Sequence, residues 1–506
     1  MDKQDIRKKE RKEVQQTKTE KSEKKQEKIT FSKSKEEEFS QWYSEIVEKA
    51  ELVDLRCNIK GFVVFRPWAV RTMEVLYDLF EEELQKKGHE PAWFPALIPE
   101  SNLKKEEAHV EGFVPQVFWV TQAGNTILEE KMAMRPTSET AMYPMYSLWI
   151  RGHSDLPLKI YQRAQVWRYE TKATRPLIRS REFYWIEGHD CFATKEEAEA
   201  QVLEDIDTTE KVMHQKLGIP FLPLRRPSWD MFPGAVYTIG SDTFTPDGKV
   251  IQQPSTHLLS QEFAKTFDIK FKDKDGKDKY VWQTCYGPCV SRILASLVTT
   301  HGDNKGLVLP FAVSPIQTVI VPIYRTENKE KVVKECKKLS EEIKSLGIRV
   351  KIDEKEVSPG NKFYFWEMKG VPLRLEIGEQ ELKTREYTLY LRDENKKMKI
   401  KNLNDLKKQG ELFDKRLKDK ADLFINKTII ACKTKEEIKK ALDDKKIARI
   451  EFCSIGKEGM ACAETVEKDL GAFVRGARHD KKEIPKGKCL FCGKKATEIV
   501  YIAKSY

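Results

Sequence analysis

The sequence has no apolar run near 18 residues and no apolar leader segment. Because about 20 consecutive apolar residues are needed to cross a bilayer, it predicts neither a membrane-spanning helix nor a secretory signal. Cysteine is also scarce, with 10 in 506 residues. Disulfide frameworks are typical of small secreted domains, so these cysteines indicate free thiols in a reduced, cytosolic protein.

Apolar residues are few over residues 1–38, which carry 13 Lys or Arg against 10 Asp or Glu. Such a segment cannot bury enough surface to offset the entropy of ordering, so we expect disorder or a frayed, solvated helix. Its acidic residues argue against a mitochondrial presequence. Its lysines favour either a solubilising tail or loose contacts with phosphate groups.

Positive charge exceeds negative charge over the whole chain. The 91 Lys and Arg residues against 80 Asp and Glu give a net charge of +11 and an isoelectric point near 8.9. This balance suits a polyanionic partner such as RNA, although a charged soluble surface has the same composition. The length predicts about three domains, each with its own core.

The most informative segment is a hairpin predicted between Ile160 and His189. Its two halves are rich in aromatic and branched residues and flank a polar connection, a pattern typical of antiparallel strands. Arg168, Arg179 and Arg181 gather around it, and arginine forks suit phosphate oxygens. The spacing indicates either a polyphosphate site or a solvated hairpin with surface ion pairs.

These residues resemble a known motif. The Arg168-x-Glu170 strand and the Arg179-x-Arg181-Glu182-Phe183 return are similar to the second signature motif of class II aminoacyl-tRNA synthetases, and Glu187-Gly188-His189 is similar to its prolyl-tRNA synthetase version. From about residue 39 onward the chain is identified as a member of the archaeal and eukaryotic-like prolyl-tRNA synthetases. The other matching segments are Glu111 to Pro115, Arg135 to Thr140, Gln252 to His257, and Arg292 with His301 to Gly306.

The resemblance implies a ligase that joins L-proline to ATP, releases pyrophosphate and transfers proline to the 3′ end of tRNA(Pro). Negative charge builds up around phosphorus in that reaction, and positioned cations can stabilise it. Mg²⁺ is expected with ATP because it neutralises the polyphosphate. The family match assigns catalysis to Arg168, Glu170, Arg179 and Arg292, and further ATP contacts to Gln252 and Ser255.

Proline is a cyclic secondary ammonium with a small apolar ring, so its site needs an acceptor and aromatic walls. Core packing would explain each aromatic residue taken alone, and a structural role would equally explain a single histidine. By resemblance, the proline site consists of Phe113, Thr137, Glu139, Arg168, Trp185 and His257.

Two segments depart from the family pattern. Gln253 and Pro254 replace small residues, so the family pattern does not predict the backbone conformation of the nucleotide site. The interval before Arg292 is one residue longer than in eukaryotic-like members. Cys285 and Cys289 are expected to be buried small groups rather than reactive thiols.

The resemblance implies an α+β catalytic core over residues 39–313, an antiparallel sheet flanked by helices. Apolar residues at three- and four-residue steps predict a helix from Pro67 to Lys87, with Gly88 after its end. In the family this helix and the Pro91 to Pro99 segment form a homodimer interface. The pattern alone also fits an ordinary amphipathic helix.

An α/β domain is predicted over residues 314–425, where a strand from Thr318 to Ile323 precedes a helix from Lys329 to Ser345. It resembles the anticodon-binding domain of class IIa synthetases. Proline anticodons contain two guanines, whose edges need hydrogen-bond donors or a carboxylate. Lys369, Arg374 and Glu376 offer such groups. Exposed charges at strand ends, without any role in binding, would explain these residues equally well.

A small α+β domain is predicted over residues 426–506. It contains Cys453-x8-Cys462 and Cys489-x2-Cys492. Two cysteine pairs in a reduced protein suit a closed tetrahedral zinc site, although the first pair is unusually wide. The family has a four-cysteine structural zinc site at corresponding places.

Only 92 residues separate Asp190 from Gln283. A helix near Glu196 to Leu217, strands over Gly234 to Ile251 and a helix at His257 are expected to fill this interval. No room remains for the editing domain that bacterial relatives insert there, so the sequence predicts none.

Two other interpretations stay open. Another class IIa synthetase, such as a threonyl or seryl enzyme, is less consistent with Thr137-Ser138-Glu139 and with the lack of an active-site zinc triad in the sequence. A synthetase-like protein that binds RNA or regulates without catalysis has no need of Arg168, Glu170 and Arg292 together. The expected partners are tRNA(Pro), L-proline, ATP and a second copy of the chain, without a membrane.

Overall fold

The protein is described here from a computed structural model covering residues 31–109, 116–171 and 173–506. The first region, up to residue 301, contains the active-site motifs. Its helices and strands are α1 (Phe39–Lys49), β1 (Val53–Asp54), β2 (Val64–Phe65), α2 (Pro67–Lys86), β3 (Glu90–Pro91), β4 (Leu97–Pro99), α3 (Glu100–His109), β5 (Trp119–Ala123), β6 (Thr126–Met134), α4 (Glu139–Trp149), β7 (Leu158–Trp167), β8 (Glu182–Phe192), α5 (Lys195–Thr209), β9 (Leu222–Arg225), β10 (Ala235–Phe244), β11 (Lys249–Leu259), α6 (Glu262–Thr266), β12 (Lys270–Lys272), β13 (Asp278–Tyr280), β14 (Trp282–Gly287) and α7 (Val290–His301).

Two further regions follow. The second consists of β15 (Thr318–Pro322), α8 (Lys329–Ser345), β16 (Val350–Ile352), α9 (Pro359–Lys369), β17 (Leu373–Ile377), α10 (Glu379–Thr384), β18 (Tyr387–Leu391), β19 (Lys396–Ile400) and α11 (Asp405–Thr428). The third consists of β20 (Ile429–Ala431), α12 (Lys435–Asp443), β21 (Ile447–Phe452), α13 (Met460–Leu470), β22 (Phe473–Arg478) and β23 (Glu498–Ser505).

One sheet of 11 strands joins the first and third regions, in the order β20-β21-β23-β22-β9-β10-β11-β14-β8-β7-β3. Strands β9, β10, β11, β14, β8 and β7 pair antiparallel, as predicted for the catalytic core. The C-terminal strands extend this sheet, because β22 pairs with β9 and β23 pairs with β11. The C-terminal region is therefore built onto the catalytic sheet.

The second region has its own sheet, in the order β16-β15-β17-β18-β19. Strand β15 runs parallel to β16 and β17, while β18 and β19 are antiparallel. Alternating strands and helices thus give the predicted α/β arrangement. Helix α11 extends past residue 425, so the proposed boundary there falls inside a helix.

Helix α2 forms where the sequence predicts a helix. Pro67 occupies its first turn, where a missing N–H costs nothing, and Gly88 follows the helix with a φ of +85°. Its apolar side is buried through Met73, Leu76 and Phe80. This buried stripe fixes the helix against the catalytic core.

The hairpin of β7 and β8 is confirmed, with Ile160 opposite His189 and Val166 opposite Phe183. Strand β11, which is separated from β8 by β14, differs from the sequence prediction, because His257 lies on a strand and not on a helix. Gln253 and Pro254 continue that strand at a register irregularity, between the Asp242–Gln252 and Gly240–Ser255 pairs with β10. Branched residues on both sides of this segment favour the extended conformation.

The segment before residue 39 also differs from the prediction. Residues 1–30 lie outside the described residues, but Lys35 donates from Nζ to the carbonyl of Gly302 at 2.7 Å. Ser32 donates its backbone N–H to Glu45 at 3.0 Å. The last part of the predicted extension is therefore packed on the catalytic region.

The interval between β8 and β14 is fully described. Residues 193–281, all described, are occupied by α5, a π-helical turn over Glu210–Lys216, β9 to β11, α6, β12 and β13. This interval contains no inserted domain.

None of the helices in the described part of the chain has the length and apolar character that a membrane-spanning segment requires.

Candidate active site

Eight of the predicted site residues line a single cavity of about 310 Å³ beside the β7–β8 hairpin. This clustering brings together positions that are up to 155 residues apart, from 137 to 292. Because each motif reaches the cavity from a different strand or helix, the sheet order is what assembles them. The eight residues are Thr137, Glu139, Arg168, Trp185, Gln252, Ser255, His257 and Arg292.

Glu187, buried on β8, fixes the loop that carries the proline motif. Its carboxylate accepts hydrogen bonds from the Thr137 hydroxyl and the Ser138 N–H, each at 3.0 Å, and from the Ser138 hydroxyl. Although burial acts in the opposite direction, His189 and Ser138 hold the pKa of Glu187 below its ordinary value. Glu187 is thereby a structural carboxylate whose acceptor capacity is used by its neighbours.

Glu139 begins α4 directly after that loop and is fully buried. Burial raises the pKa of its carboxyl. Its Oε2 atom has no hydrogen-bond partner among the described residues. A buried carboxylate oxygen without a partner is costly, and a cation bound in the cavity would satisfy it.

The walls of the cavity are aromatic. The Trp185 ring lies beside Arg168, and the Phe232 and His257 rings are 5.0 Å apart. Nδ1 of His257 is 2.8 Å from the Thr238 hydroxyl and Nε2 is 3.1 Å from the Ser255 hydroxyl. Burial, followed by the charge of His189, lowers the pKa of His257 to about 3, so this ring is a neutral wall.

Arg168 and Arg292 both line this cavity. Arg168 donates from Nε to the carbonyl of Pro136 at 2.9 Å, and its guanidinium lies 5.3 Å from the Phe183 ring centre. Arg292 donates to the carbonyls of Ile178 and Gln252 at 3.2 and 3.0 Å. Burial within the site, and then the nearby charge of Arg292, lower the pKa of Arg168. Two fixed like charges that line one cavity make an anion site.

The remaining predicted residues are placed elsewhere. Glu170 and Arg179 lie outside the cavity lining, and Arg179 Nε is 3.8 Å from Glu170 Oε2. They belong to the connection between β7 and β8, where Arg179 lines a neighbouring cleft. Phe113 lies outside the described residues.

Cys285 lies on the cavity floor. Its Sγ is 3.9 Å from Glu139 and 4.0 Å from His189, and one potential ligand atom of each of the three lies within 4.8 Å of the others. The sequence motifs contain no active-site zinc triad, whereas the fold brings these three groups together. Burial raises the pKa of Cys285 to about 11, so it stays a thiol at neutral pH, as expected for a small buried group.

Arg226 also lines the cavity, from the turn after β9, although no sequence motif indicates it. Arg226 and Arg475 both bind the buried Asp242, at N–O distances from 2.5 to 3.2 Å. Gly240 makes room for Arg226, because a Cβ there would lie 2.3 Å from the guanidinium. The only local signal was the Arg225-Arg226-Pro227 turn, and no spacing rule connects it to residues 242 and 475.

The predicted anticodon residues separate into two places. Arg374 is enclosed between the Phe363 and Tyr390 rings, each 4.0 Å away, and pairs with Glu376 at 3.0 Å. Lys397 reaches the other oxygen of Glu376 at 2.6 Å. Arg374 and Glu376 are buried rather than exposed at a strand end.

Lys369 does not join this cluster. Its Nζ donates to the carbonyl of Ala50 at 2.8 Å and to the carboxylate of Glu51. The Trp68 indole donates back to the carbonyl of Lys369 at 3.0 Å. Lys369 therefore fastens the second region to the catalytic region.

The four C-terminal cysteines meet as the spacing predicts. Sγ atoms of Cys453, Cys462, Cys489 and Cys492 all lie within 4.8 Å of one another. The turn between the last two is closed by the Gly493 N–H, which donates to the carbonyl of Cys489 at 2.9 Å. Four sulfur donors at this separation fit a tetrahedral zinc ion.

Comparisons with known proteins agree with these motifs. Three family models match: tRNA synthetase class II core domain (G, H, P, S and T) over residues 118–301, Anticodon binding domain over residues 317–408, and Prolyl-tRNA synthetase, C-terminal, over residues 435–506. A proline–tRNA ligase from Thermofilum pendens is 52% identical over 484 residues, covering 94% of this chain and 99% of that protein. One from Pyrococcus abyssi is 42% identical over 478 residues, covering 93% and 98%.

A solved structure is similar along nearly the whole chain. It is Giardia lamblia prolyl-tRNA synthetase in complex with prolyl-adenylate, with a TM-score of 0.89 and 38% identity, covering 92% of this chain and 98% of that one. Sequence identity of this extent, the three matched regions and the assembled motifs lead to one conclusion. The chain belongs to the prolyl-tRNA synthetase (proline–tRNA ligase) family of class II aminoacyl-tRNA synthetases.

Proposed function

We propose that this chain activates L-proline with ATP, releases pyrophosphate and transfers the prolyl group to the 3′ end of tRNA(Pro). The observation that carries the proposal is the Oε2 atom of Glu139, which has no partner among the described residues and lies in a cavity that Arg168 and Arg292 also line. A zwitterionic amino acid needs both signs of charge at one site, an acceptor for its ammonium and donors for its carboxylate. Aromatic walls suit the apolar ring of proline.

Activation follows from this arrangement. The proline ammonium lies at Glu139, beside Thr137, and its carboxylate lies at Arg168. A carboxylate oxygen attacks the α-phosphorus of ATP, the bond from that phosphorus to the pyrophosphate oxygen breaks, and the electron pair leaves with pyrophosphate. Arg168 stabilises the charge that develops on the α-phosphate, and no protein nucleophile is required.

The other predicted residues orient the nucleotide. Arg292 binds the terminal phosphate of ATP, which enters as its Mg²⁺ complex. Glu170 and Arg179 hold ATP from the β7–β8 connection, while Gln252 and Ser255 contact it from β11. In the transfer step, the terminal ribose hydroxyl of tRNA attacks the prolyl carbonyl, and AMP leaves.

Amino-acid-dependent exchange of labelled pyrophosphate into ATP tests the proposal. All twenty amino acids are assayed separately, and we expect rapid exchange with proline and far slower exchange with the others. Proline-dependent exchange followed by acid-precipitable prolyl-tRNA(Pro) would support both steps. A folded protein that binds tRNA but shows no exchange would instead support an RNA-binding or regulatory role.

We also propose that Zn²⁺ binds Cys453, Cys462, Cys489 and Cys492. The donor set supports this, because four thiolates within reach of one centre are typical of closed structural sites. The ion would cross-link the C-terminal region and take no part in aminoacylation. All ten cysteines lie among the described residues and none forms a disulfide, which supports a reducing, cytosolic location.

We further propose a homodimer formed through α2 and the segment that follows it. Its support is the exposure of apolar side chains there, with Trp93 88% exposed, Leu97 41% and Val70 42%. Exposed apolar groups in such number often mark an interface. Sedimentation of the wild-type chain and of Trp93→Glu tests this, and a monomeric wild type would contradict it.

For the anticodon we propose contacts from Arg374 and Glu376, whereas Lys369 is engaged by Ala50 and Glu51. Guanine offers acceptors at O6 and N7 to an arginine, and donors at N1 and N2 to a carboxylate. Arg374→Ala should raise the KM for tRNA(Pro) without changing pyrophosphate exchange. Equal KM values would contradict the assignment.

A further inference from the structure

A second cavity of about 600 Å³ adjoins the active-site cavity, at the seam where the C-terminal strands extend the catalytic sheet. Arg226 and Met231 line both cavities. The floor of the second cavity includes Arg225 and Ala477, which are opposite each other in the β9–β22 pair. We call this second cavity the seam groove.

The seam is tightly built. A Cβ at Gly476 would lie 2.1 Å from the carbonyl oxygen of Arg225, so only glycine permits this approach of the two strands. Arg226 and Arg475 share Asp242 directly beneath it. The groove is therefore a fixed surface made jointly by the two regions.

Positive charge predominates in the seam groove. Its lining contains Arg225, Arg226, Arg478, Lys481 and Lys482 against the single acidic residue Glu498. Asp242 neutralises Arg226, and Asp480 binds Arg478 with an Nε–Oδ1 distance of 2.6 Å. Lys481 is 3.8 Å from Glu483, while Arg225 and Lys482 make no ion pair with any described residue. Lys481 and Lys482 are both exposed.

Flat side chains accompany these cations. The rings of Tyr237 and His479 are stacked at 6.5 Å with an angle of 27° between their planes. The Arg225 guanidinium lies 5.0 Å from the Tyr237 ring centre. Cations together with planar stacking groups are the combination that binds single-stranded nucleic acid, because phosphates and base faces are both accommodated.

We propose that the seam groove binds the unpaired 3′ end of the tRNA substrate and guides its terminal ribose into the active-site cavity. This inference rests on the proposed function, because transfer requires that ribose to reach a carbonyl held between Glu139 and Arg168. The groove is the basic surface that shares lining residues with that cavity. The C-terminal region thus contributes directly to the transfer step.

The test separates activation from transfer. In the groove variant Lys481→Glu/Lys482→Glu, we expect proline-dependent pyrophosphate exchange within about twofold of wild type and a KM for tRNA(Pro) raised about tenfold or more. The salt dependence of kcat/KM for tRNA should also become shallower, with a slope lower by about 1.4 for two lost phosphate contacts. The matched control is Lys439→Glu/Lys440→Glu, two exposed lysines on α12 outside the groove, which should change neither value.

A shortened tRNA(Pro) lacking its last four nucleotides identifies the bound segment. It should inhibit aminoacylation with the same inhibition constant in wild type and groove variant, because the groove's occupant has been removed. Equal loss of affinity for full-length and shortened tRNA would overturn the proposal, as would unchanged aminoacylation or a fall in pyrophosphate exchange. Absence of exchange in the wild-type chain would overturn the proposed function instead.

Discussion

Two buried carboxylates in the same cavity have opposite properties. Glu187 accepts three hydrogen bonds from the loop over residues 137–138, which helps to keep its pKa low. One oxygen of Glu139 has no hydrogen-bond partner in the described part of the chain, and burial raises the pKa of Glu139. Their environments therefore assign different tasks, with Glu187 holding the loop and Glu139 left available to the substrate.

Glu139→Gln should raise the KM for proline roughly 10- to 100-fold, because a charged hydrogen bond to the ammonium becomes a neutral one. Only the ionised carboxylate binds the ammonium, so wild-type kcat/KM for proline should fall as the pH falls through the raised pKa of Glu139. The variant should lack that dependence. Steady-state exchange kinetics across pH measure both effects, and an unchanged proline KM would show that the ammonium binds elsewhere.

In the proposed function, Arg168 and Arg292 stabilise the charge that develops during activation. Arg168→Ala or Arg292→Ala should slow pyrophosphate exchange roughly 30- to 1000-fold, since each removes about 2 to 4 kcal/mol of charge stabilisation in a pre-organised site. The control is Arg163→Ala on β7, the strand that ends just before Arg168, because Arg163 pairs with Glu74 and Glu81 outside the cavity. Near-normal exchange in a folded Arg168→Ala protein would refute the assignment.

At the scale of elements, helix α5 is fastened to the sheet by a buried acid. Asp205 accepts hydrogen bonds from Gln201 at 2.8 Å and from Thr256 on β11 at 2.6 Å. Burial, and then the charge of Asp190, raise the pKa of Asp205 to about 7. The folded state therefore favours the protonated acid, whereas an unfolded aspartate ionises near its ordinary value of 3.8.

This shift predicts a pH dependence of stability. A folded-state pKa above the unfolded one stabilises the fold at low pH, and the stabilisation is lost as the pH rises from about 4 to about 7, by up to about 4 kcal/mol. The melting temperature of wild type should therefore fall relative to that of Asp205→Asn over this range and run parallel above it. Asp207→Asn, an exposed residue of the same helix, is the control, and parallel curves for Asp205→Asn throughout would contradict the shift.

In the proposed zinc site, metal binding to the cysteine cluster stabilises the C-terminal region. Losing one ligand should release zinc and loosen residues 426–506 before the catalytic region, since binding energy of the metal is folding energy of the site. Elemental analysis and limited proteolysis of Cys489→Ser would show both changes. Cys432→Ser, which removes a buried thiol of the same region outside the cluster, should keep its zinc. Wild-type protein without zinc after reconstitution would count against the site.

At the scale of the whole molecule, one sheet carries both the active site and the C-terminal region. Residues 193–281 contribute β9 to β11 to that sheet, with no further domain in this described interval. We expect selection among amino acids to occur in the proline cavity. A small apolar cavity discriminates by only about 1 to 3 kcal/mol per methylene.

Alanine and cysteine should consequently be activated slowly but detectably, and their esters should not be hydrolysed by this chain. ATP consumption with alanine, measured with and without tRNA(Pro), checks this. We expect consumption to match the stable product formed. Hydrolysis far beyond that product, or deacylation of alanyl-tRNA(Pro), would reveal an editing site within the chain.

Local patterns in the sequence determined much of this protein. The hairpin with Arg168, the helix from Pro67 and the C-terminal cysteine spacing depend on neighbours within a few tens of residues, so strand alternation, capping and ligand spacing predict them. Family resemblance added Arg292 and His257, which the structure brings into the same cavity as Arg168.

Other features were decided by tertiary structure alone. The burial of Lys369 against Glu51, the sharing of Asp242 by Arg226 and Arg475, and the seam groove all join residues hundreds of positions apart. Local propensity does not predict such pairs. The free energy that stabilises them depends on desolvation and on the order of strands in the sheet. His257 illustrates the same limit, since branched residues near it favour a strand, but pairing with β10 and β14 places that strand beside the active-site cavity.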